Sequence, residues 1–215
     1  MKKYYPIMLD IENKNCLVIG GGRIAYRKTL SLLECGGKVK VLSKNISDEF
    51  KILINKGEIE YIEDNYSIKY IDNVYIVYAA TDNRSMNKTI YEDCNRNNIL
   101  VNVVDEPDIC NFIVPAKVQR GDLTVAVSTN GKSPMLSRRI REELEKVFNS
   151  NYEDFLDIMG DMRSNVLREI KDGKKRREFF KEVVYSDFIE RLTYENKEEV
   201  QQEIYGIFEK YKNQD

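Results

Sequence analysis

Cys16-Leu17-Val18-Ile19-Gly20-Gly21-Gly22-Arg23-Ile24-Ala25 is the stretch that decides the fold: four apolar residues, three glycines, then the start of an amphipathic run. A short apolar run halted by glycines is how a buried parallel strand ends. Ile24, Ala25, Leu30, Leu32 and Leu33 then suit a helix lying on a sheet, and Gly36-Gly37 terminates it. The spacing is Gly20-x-Gly22-x-x-Ala25. The first glycine permits a tight turn, the second lets backbone approach a pyrophosphate, and the last position needs a small residue where helix meets strand. The helix N-terminus at Arg23 and Ile24 adds N–H donors and partial positive charge for phosphates. Alone the motif is weak; with a strand before it and a helix after it, it points to a dinucleotide site.

Outward from this point the pattern repeats. Val39 to Leu42 reads as a second strand, and a polar helix follows from Ser47 to Lys56, with Gly57 at its end. Glu58 to Ile62 is a third strand, and Val74 to Ala80 is the most strand-like run of all. A helix over Asn87 to Asn95 leads to a fifth strand, Leu100 to Val104. Strands alternating with helices imply right-handed βαβ units and a Rossmann-type, doubly wound parallel sheet, α/β in class. After Pro107 the pattern changes. Phe112 to Val118 and Leu123 to Ser128 read as two strands around the turn Gln119-Arg120-Gly121-Asp122, and Ser133-Pro134 opens a helix. From Asn151 onward the apolar spacing is helical. The expected organisation is a Rossmann domain over 1–112, a small α+β segment over 113–150 and a helical domain over 151–215.

Composition narrows the chemistry. The 215 residues include no histidine, which excludes Ser-His-Asp and Cys-His nucleophiles, HExxH zinc hydrolysis and any imidazole acid or base. Proton transfer falls to Asp, Glu, Lys, Tyr or Cys. The four cysteines (Cys16, Cys35, Cys94, Cys110) form no C-x-x-C pair, so buried reduced thiols are expected and no metal site. A net charge of −2 gives no reason to expect nucleic acid. The opening MKKYYPIMLDIENKN has no apolar signal core, and no run of about eighteen apolar residues follows, so a cytoplasmic protein without a membrane span is expected.

Several residues are candidates for chemistry, each with a plainer alternative. The second strand ends Leu42-Ser43-Lys44-Asn45, where an acidic ribose ligand is usual and none stands. Either Ser43 and Asn45 bond the ribose of NAD, or Lys44 pairs with the 2′-phosphate of NADP. Thr81-Asp82 follows the strongest strand and contacts the cofactor, or is a turn or helix cap. Asp105, behind Val103 and Val104, is the candidate general base, since an apolar setting there would raise its pKa; on the residues alone, in Asp105-Glu106-Pro107-Asp108, the ordinary turn reading prevails over it. Ser128-Thr129-Asn130-Gly131-Lys132-Ser133, followed by Arg138, binds an anionic substrate or merely connects strand to helix.

Three stretches together resemble the precorrin-2 dehydrogenase family, both its stand-alone enzymes and the N-terminal module of multifunctional siroheme synthase. They are YYPIMLDIENKNCLVIGGGRIAYRKTLSLL, VYAATDNRSMN and VNVVDEPDICNFIVPAKVQRGDLTVAVSTNGKSPMLSRRIREELE, in the family's order from Tyr4 to Glu145. With the sequence ending at Asp215, the stand-alone form is expected, without the methyltransferase half. The resemblance implies NAD-dependent oxidation of precorrin-2 to sirohydrochlorin in siroheme biosynthesis, and in some members insertion of ferrous iron. It implies Asp105 as the catalytic residue for both. It makes Gly20, Gly22, Arg23, Ile24, Ser43, Lys44, Asn45, Thr81, Asp82 and Val103 contacts of NAD, with Ser128, Thr129, Ser133 and Arg138 facing the octacarboxylate substrate. It also implies a homodimer built through the middle segment. Asn130 departs from the family, standing where many relatives have glycine. Apart from the resemblance, a nucleotide-sensing regulatory module without catalysis shares the glycine start, but it expects the acidic ribose ligand that is missing here.

Overall fold

The computed structural model describes residues 3–213; the first two residues of the MKKYYPIMLDIENKN opening and the last two of the chain lie outside them. The chain forms two compact units, Met1–Val114 and Pro115–Asp215. In the first, β1 (Asn15–Ile19) leads into α1 (Arg23–Glu34), then β2 (Lys38–Leu42), α2 (Asp48–Asn55), β3 (Glu60–Ile62), β4 (Ile76–Ala79), α3 (Arg84–Arg96) and β5 (Leu100–Val103). The strand order is β3-β2-β1-β4-β5, and every pair is parallel.

The continuous apolar runs are explained by cover on both faces. Cys16 and Val18 face one way with Val41 and Tyr78, against Ala25 and Leu32 of α1 and Phe50 of α2. Leu17 and Ile19 face the other way with Val77 and Val101, against Ile90 and Cys94 of α3. The chain winds outward from β1 through β2 to β3, then returns to β4 on the far side of β1. That reversal places a switch point between β1 and β4, where the carboxyl ends of the strands part to leave a crevice.

The free edge of β5 is covered by residues 110–112 rather than by a sixth strand, with Asn111 at the centre. The Asn111 N–H donates to Val101 O at 3.1 Å, its Oδ1 accepts the Val101 N–H at 2.7 Å, and its Nδ2 donates to Ile99 O at 2.9 Å. Phe112 is engaged in the same cover, its carbonyl accepting from Asn102 Nδ2 at 3.1 Å and its ring meeting Tyr78 edge-on. The strand expected from Phe112 therefore starts later, at Ala116, after Pro115, which has no N–H to give a ladder. Asn111→Ala is expected to lower stability by about 1–3 kcal/mol by stranding the Val101 N–H. Urea denaturation checks this, and an unchanged midpoint would mean that water satisfies the edge equally well.

Burial pushes the Cys16 thiol up to about 11 and the Cys94 thiol to about 12; Cys110 is also buried, and Cys35 is exposed. The thiolate is the reactive form, so Cys35 alone is expected to react with a disulfide reagent at pH near 8 in the folded protein. Labelling of any other cysteine before unfolding would contradict this placement.

In the second unit β6 (Ala116–Arg120) and β7 (Leu123–Val127) form an antiparallel hairpin. Arg120 pairs with Leu123, so the loop is only Gly121-Asp122, shorter than the four-residue turn expected. Gly121 supplies the positive φ (+51°) that a two-residue hairpin loop needs. Ser133 caps α4 (Pro134–Val147), its Oγ accepting the Leu136 N–H at 3.2 Å. α5 (Asn151–Glu169), α6 (Gly173–Val184), α7 (Phe188–Arg191) and α8 (Lys197–Lys212) follow. They enclose a core of their own, with Ile158, Met162, Phe179, Val200, Ile204 and Phe208 all buried. One member of the basic run Lys174 to Arg177 is structural. Arg176 Nε donates to Ile170 O at 2.6 Å and Nη2 to Leu167 O at 3.2 Å, satisfying carbonyls at the end of α5.

Candidate functional site

The carboxyl ends of β1, β2, β3 and β4 open on a cleft of about 550 Å³ lined by residues 20–22, 43–47, 64–66 and 80–82. The three glycines enter it in different ways. At Gly20 φ is +126°, and a Cβ would stand 2.3 Å from the Ala80 carbonyl oxygen. At Gly21 a Cβ would stand 1.9 Å from the Asn45 carbonyl oxygen. At Gly22 nothing lies within 4 Å of where a Cβ would project. The first two are glycine because the protein's own backbone passes there; the third is bare toward open space. That surface is what a phosphate needs for close approach, and the residues fit the dinucleotide that the motif implies.

The loop is rigidly held. Gly20 N–H donates to Leu42 O at 2.9 Å, Ala80 N–H to Ile19 O at 2.8 Å and Ser47 N–H to Gly21 O at 2.9 Å. Gly22 is the N-cap of α1 and supplies no side-chain cap, and Arg23 and Ile24 are exposed. The first N–H groups of a helix have no carbonyl partner within it, so this end retains donors and a partial positive charge.

Of the other residues expected at a cofactor, Ser43, Lys44, Asn45, Thr81 and Asp82 line the cleft with Gly20 and Gly22. Two of their side chains are already committed. Ser43 Oγ donates to Asn45 O at 2.7 Å, fixing the carbonyl that presses on Gly21. Thr81 Oγ1 donates to Asn87 Oδ1 at 2.7 Å and accepts the Asn83 N–H at 3.2 Å, while buried Asn87 returns a bond to Thr81 O at 3.0 Å. The helix cap is Asn83, accepting the Met86 N–H at 3.0 Å, so neither Thr81 nor Asp82 caps α3. Lys44, Asn45 and Asp82 are exposed. Val103 lies outside the cleft lining: its side chain is in the core and its N–H donates to Cys110 Sγ at 3.2 Å.

Asp105 is exposed and sits in a turn at φ +61°, not in the apolar setting expected of it. The physical reason is local. Val103 turns its side chain into the core, and the chain then reverses around Cys110, whose Sγ lies 3.3 Å from the carbonyl oxygens of Val103 and Glu106. Ala79 and Val103 are register partners, so Asp105 stands as far past β5 as Thr81 stands past β4. It shares the strand-end edge with the cleft but is not part of its lining.

The second unit brings Ser128, Thr129 and Ser133 into one loop. Thr129 Oγ1 accepts the Ser133 N–H at 3.1 Å and lies 3.0 Å from Ser137 Oγ, and Ser133 Oγ is the helix cap. These two hydroxyls build the loop. Ser128 is exposed, with its oxygen accepting the Asn130 N–H at 3.1 Å. Arg138 is exposed and pairs with Glu142 at 2.8 Å. Among the described residues no group of three His, Cys, Asp or Glu side chains is placed to hold a metal ion. No described helix is long and apolar enough to cross a membrane.

Gly21 and Asp64 were not singled out by sequence. Gly21 occupies a free position of the motif, and only folding brings Asn45 against it. Asp64 follows the third strand, where no motif asks for an acid.

Family models match the chain in succession: "Putative NAD(P)-binding" over residues 7–116, "Sirohaem biosynthesis protein central" over 120–146 and "Sirohaem synthase dimerisation region" over 151–205. Siroheme synthase of Photobacterium profundum is 31% identical over 204 residues, covering 95% of this chain and 44% of that protein. Siroheme synthase of Ruthia magnifica is 38% identical over 194 residues, covering 90% of this chain and 41% of that protein. The chain thus spans less than half the length of these curated relatives. Among solved structures, SirC, precorrin-2 dehydrogenase, superposes with a TM-score of 0.81 at 27% identity, covering 94% of this chain and 100% of that one. With the NAD(P)-binding model spanning half its length and the two sirohaem regions following in order, the chain belongs to the siroheme synthase family of NAD(P)-binding proteins.

Proposed function

We propose that the chain oxidises precorrin-2 with NAD, so that precorrin-2 and NAD⁺ give sirohydrochlorin, NADH and a proton. The observation that carries this is the glycine cleft at the β1/β4 switch point, with Gly22 bare toward open space, in a chain that superposes over 94% of its length on a precorrin-2 dehydrogenase.

NAD, when bound, supplies the acceptor for a hydride equivalent. Gly20 and Gly22 shape the loop for the pyrophosphate, and the N–H groups at Arg23 and Ile24 receive its charge. Ser43, Lys44 and Asn45 meet the adenosine ribose, Ser43 partly by holding the Asn45 carbonyl in place. Thr81 and Asp82 border the nicotinamide half, with Asp82 the one whose side chain is exposed. Val103 contributes support from the core rather than a side-chain contact. Asp105 takes the proton from the macrocycle; in a chain without histidine a carboxylate at the strand-end edge is the group suited to it. Ser128 and Arg138 offer exposed polar groups to the substrate's carboxylates, with Thr129 and Ser133 shaping the loop that carries them.

The dimerisation region over 151–205 supports a homodimer formed through the helical part of the second unit rather than through the middle segment expected from the resemblance, and supports a functional division near residue 150. Ferrous iron insertion is a separate reading for the same site: Asp105 would accept pyrrole N–H protons as iron, a substrate, enters, and the macrocycle would supply most of its ligands.

Anaerobic incubation with precorrin-2 and NAD tests the main reading. Sirohydrochlorin and NADH are expected to appear together in equal amounts. NADH binding without any oxidation would favour the nucleotide-sensing alternative instead. Repeating the assay with ferrous iron and sirohydrochlorin decides whether insertion accompanies oxidation.

A further inference from the structure

We propose that Asp64 selects NAD over its 2′-phosphorylated counterpart by supplying, from the end of β3, the carboxylate that the end of β2 lacks. This assignment rests on the cleft being a dinucleotide site, as proposed above. Leu42 and Ile62 are register partners on adjacent parallel strands, and Lys44 and Asp64 each stand two residues beyond them. The two strand ends are tied together: Ser43 N–H donates to Ile62 O at 3.1 Å, and the Tyr61 hydroxyl donates to Ser43 O at 2.9 Å. Lys44 and Asp64 both line the cleft.

The carboxylate is held in a defined orientation. Oδ1 accepts the Asn65 N–H at 2.7 Å, Oδ2 accepts the Tyr70 hydroxyl, and Lys69 Nζ lies 3.6 Å from Oδ2. The Tyr70 hydroxyl first, then the Asn65 N–H, hold the group below the ordinary carboxylate range, which favours its charged form. Its side chain is 46% exposed, within reach of a ligand. A carboxylate oxygen has two acceptor sites, so Oδ1, which takes only the Asn65 N–H, retains one for a ribose hydroxyl. A 2′-phosphate brought to the same place meets a fixed like charge.

Two ammonium groups bear on the site: Lys44 lines the cleft with Asp64, and Lys69 pairs with Asp64 from outside the lining. While Asp64 is charged it offsets Lys69, its ion-pair partner; once Asp64 is neutral, Lys69 and the cleft-lining Lys44 are left to attract a phosphate. The preference for NAD thus turns on one carboxylate located one strand away from the usual position.

The test is fluorescence titration of NADH and NADPH into the full chain and into Asp64→Asn, Asp64→Ala and Asp64→Glu, with thermal melts of each. Asp64→Asn keeps an oxygen to accept the Asn65 N–H, and its amide N–H can donate to the Tyr70 hydroxyl oxygen in place of the bond that hydroxyl gave, so the loop is expected to fold. The wild type is expected to bind NADH more tightly, and the ratio of NADPH to NADH dissociation constants to fall about tenfold or more in Asp64→Asn and Asp64→Ala, mainly through tighter NADPH binding. Asp64→Glu is expected to keep most of the wild-type ratio. An unmoved ratio in folded Asp64→Asn, or a wild type that prefers NADPH, overturns the assignment while leaving the dinucleotide site intact. Failure of the wild type to bind either nucleotide overturns the cleft reading and this inference with it.

Discussion

Gly21→Ala is expected to abolish measurable NADH binding and to destabilise the first unit by about 3 kcal/mol. The added Cβ would lie 1.9 Å from the Asn45 carbonyl oxygen, 2.8 Å from its carbon and 2.9 Å from Ile46 Cα. All three are backbone atoms, so no rotamer change relieves the clash. The strand-to-helix segment they belong to is also fastened, by Ser43 Oγ on Asn45 O and by Ser47 N–H on Gly21 O. Making room therefore means moving the floor of the cleft. Gly22→Ala is the informative contrast. With nothing within 4 Å, its methyl is accommodated by the free protein, and its melting temperature is expected to match the wild type. Its NADH affinity is expected to fall at least about tenfold, because the methyl stands where the backbone must be bare for a phosphate. Thermal melts and NADH titration of both variants separate the two effects. Wild-type affinity in Gly22→Ala would mean that the ligand approaches elsewhere.

Substitution of Asp105 is expected to lower turnover of precorrin-2 by about 10²–10⁴-fold, the range for loss of a general base. NADH affinity should stay within a factor of about two, because Asp105 is not part of the cleft lining. Asp105→Asn is a better variant than Asp105→Ala. At φ +61° alanine is strained, whereas asparagine enters the left-handed region with little penalty and keeps the side chain's shape. Any ferrous insertion should fall with the dehydrogenase, since both need a proton acceptor at that edge. Unaltered turnover in Asp105→Asn would assign the proton to another group, with Asp82 next to be tested as an exposed carboxylate on the cleft.

The sheet was legible because burial on both faces leaves an unmistakable trace, runs such as Leu17-Val18-Ile19 and Ile76-Val77-Tyr78 closed by glycine or polar loops. The turn at Gly20 was legible for the same local reason: a strand feeding directly into a helix needs a φ that only glycine adopts freely. Contacts between distant segments left no such trace. The Gly21–Asn45 approach, the register that sets Asp64 level with Lys44 past neighbouring strand ends and the use of Asn111 as a surrogate edge strand all depend on how strands pair. The exposure of Asp105 was misjudged because Val103 and Val104 suggested an apolar pocket, whereas Val103 points away into the core. Asn130 shows the reverse case. Its departure from a family glycine is explained by φ +51°, a conformation that asparagine tolerates better than most residues.

A crystal structure of the chain grown with NADH is the most direct test of the central claim. The pyrophosphate is expected over Gly22 at the N-terminus of α1, and the adenosine ribose beside Lys44 and Asp64. NADH density away from the residue 20–22 loop would contradict the account, whatever activity the protein shows.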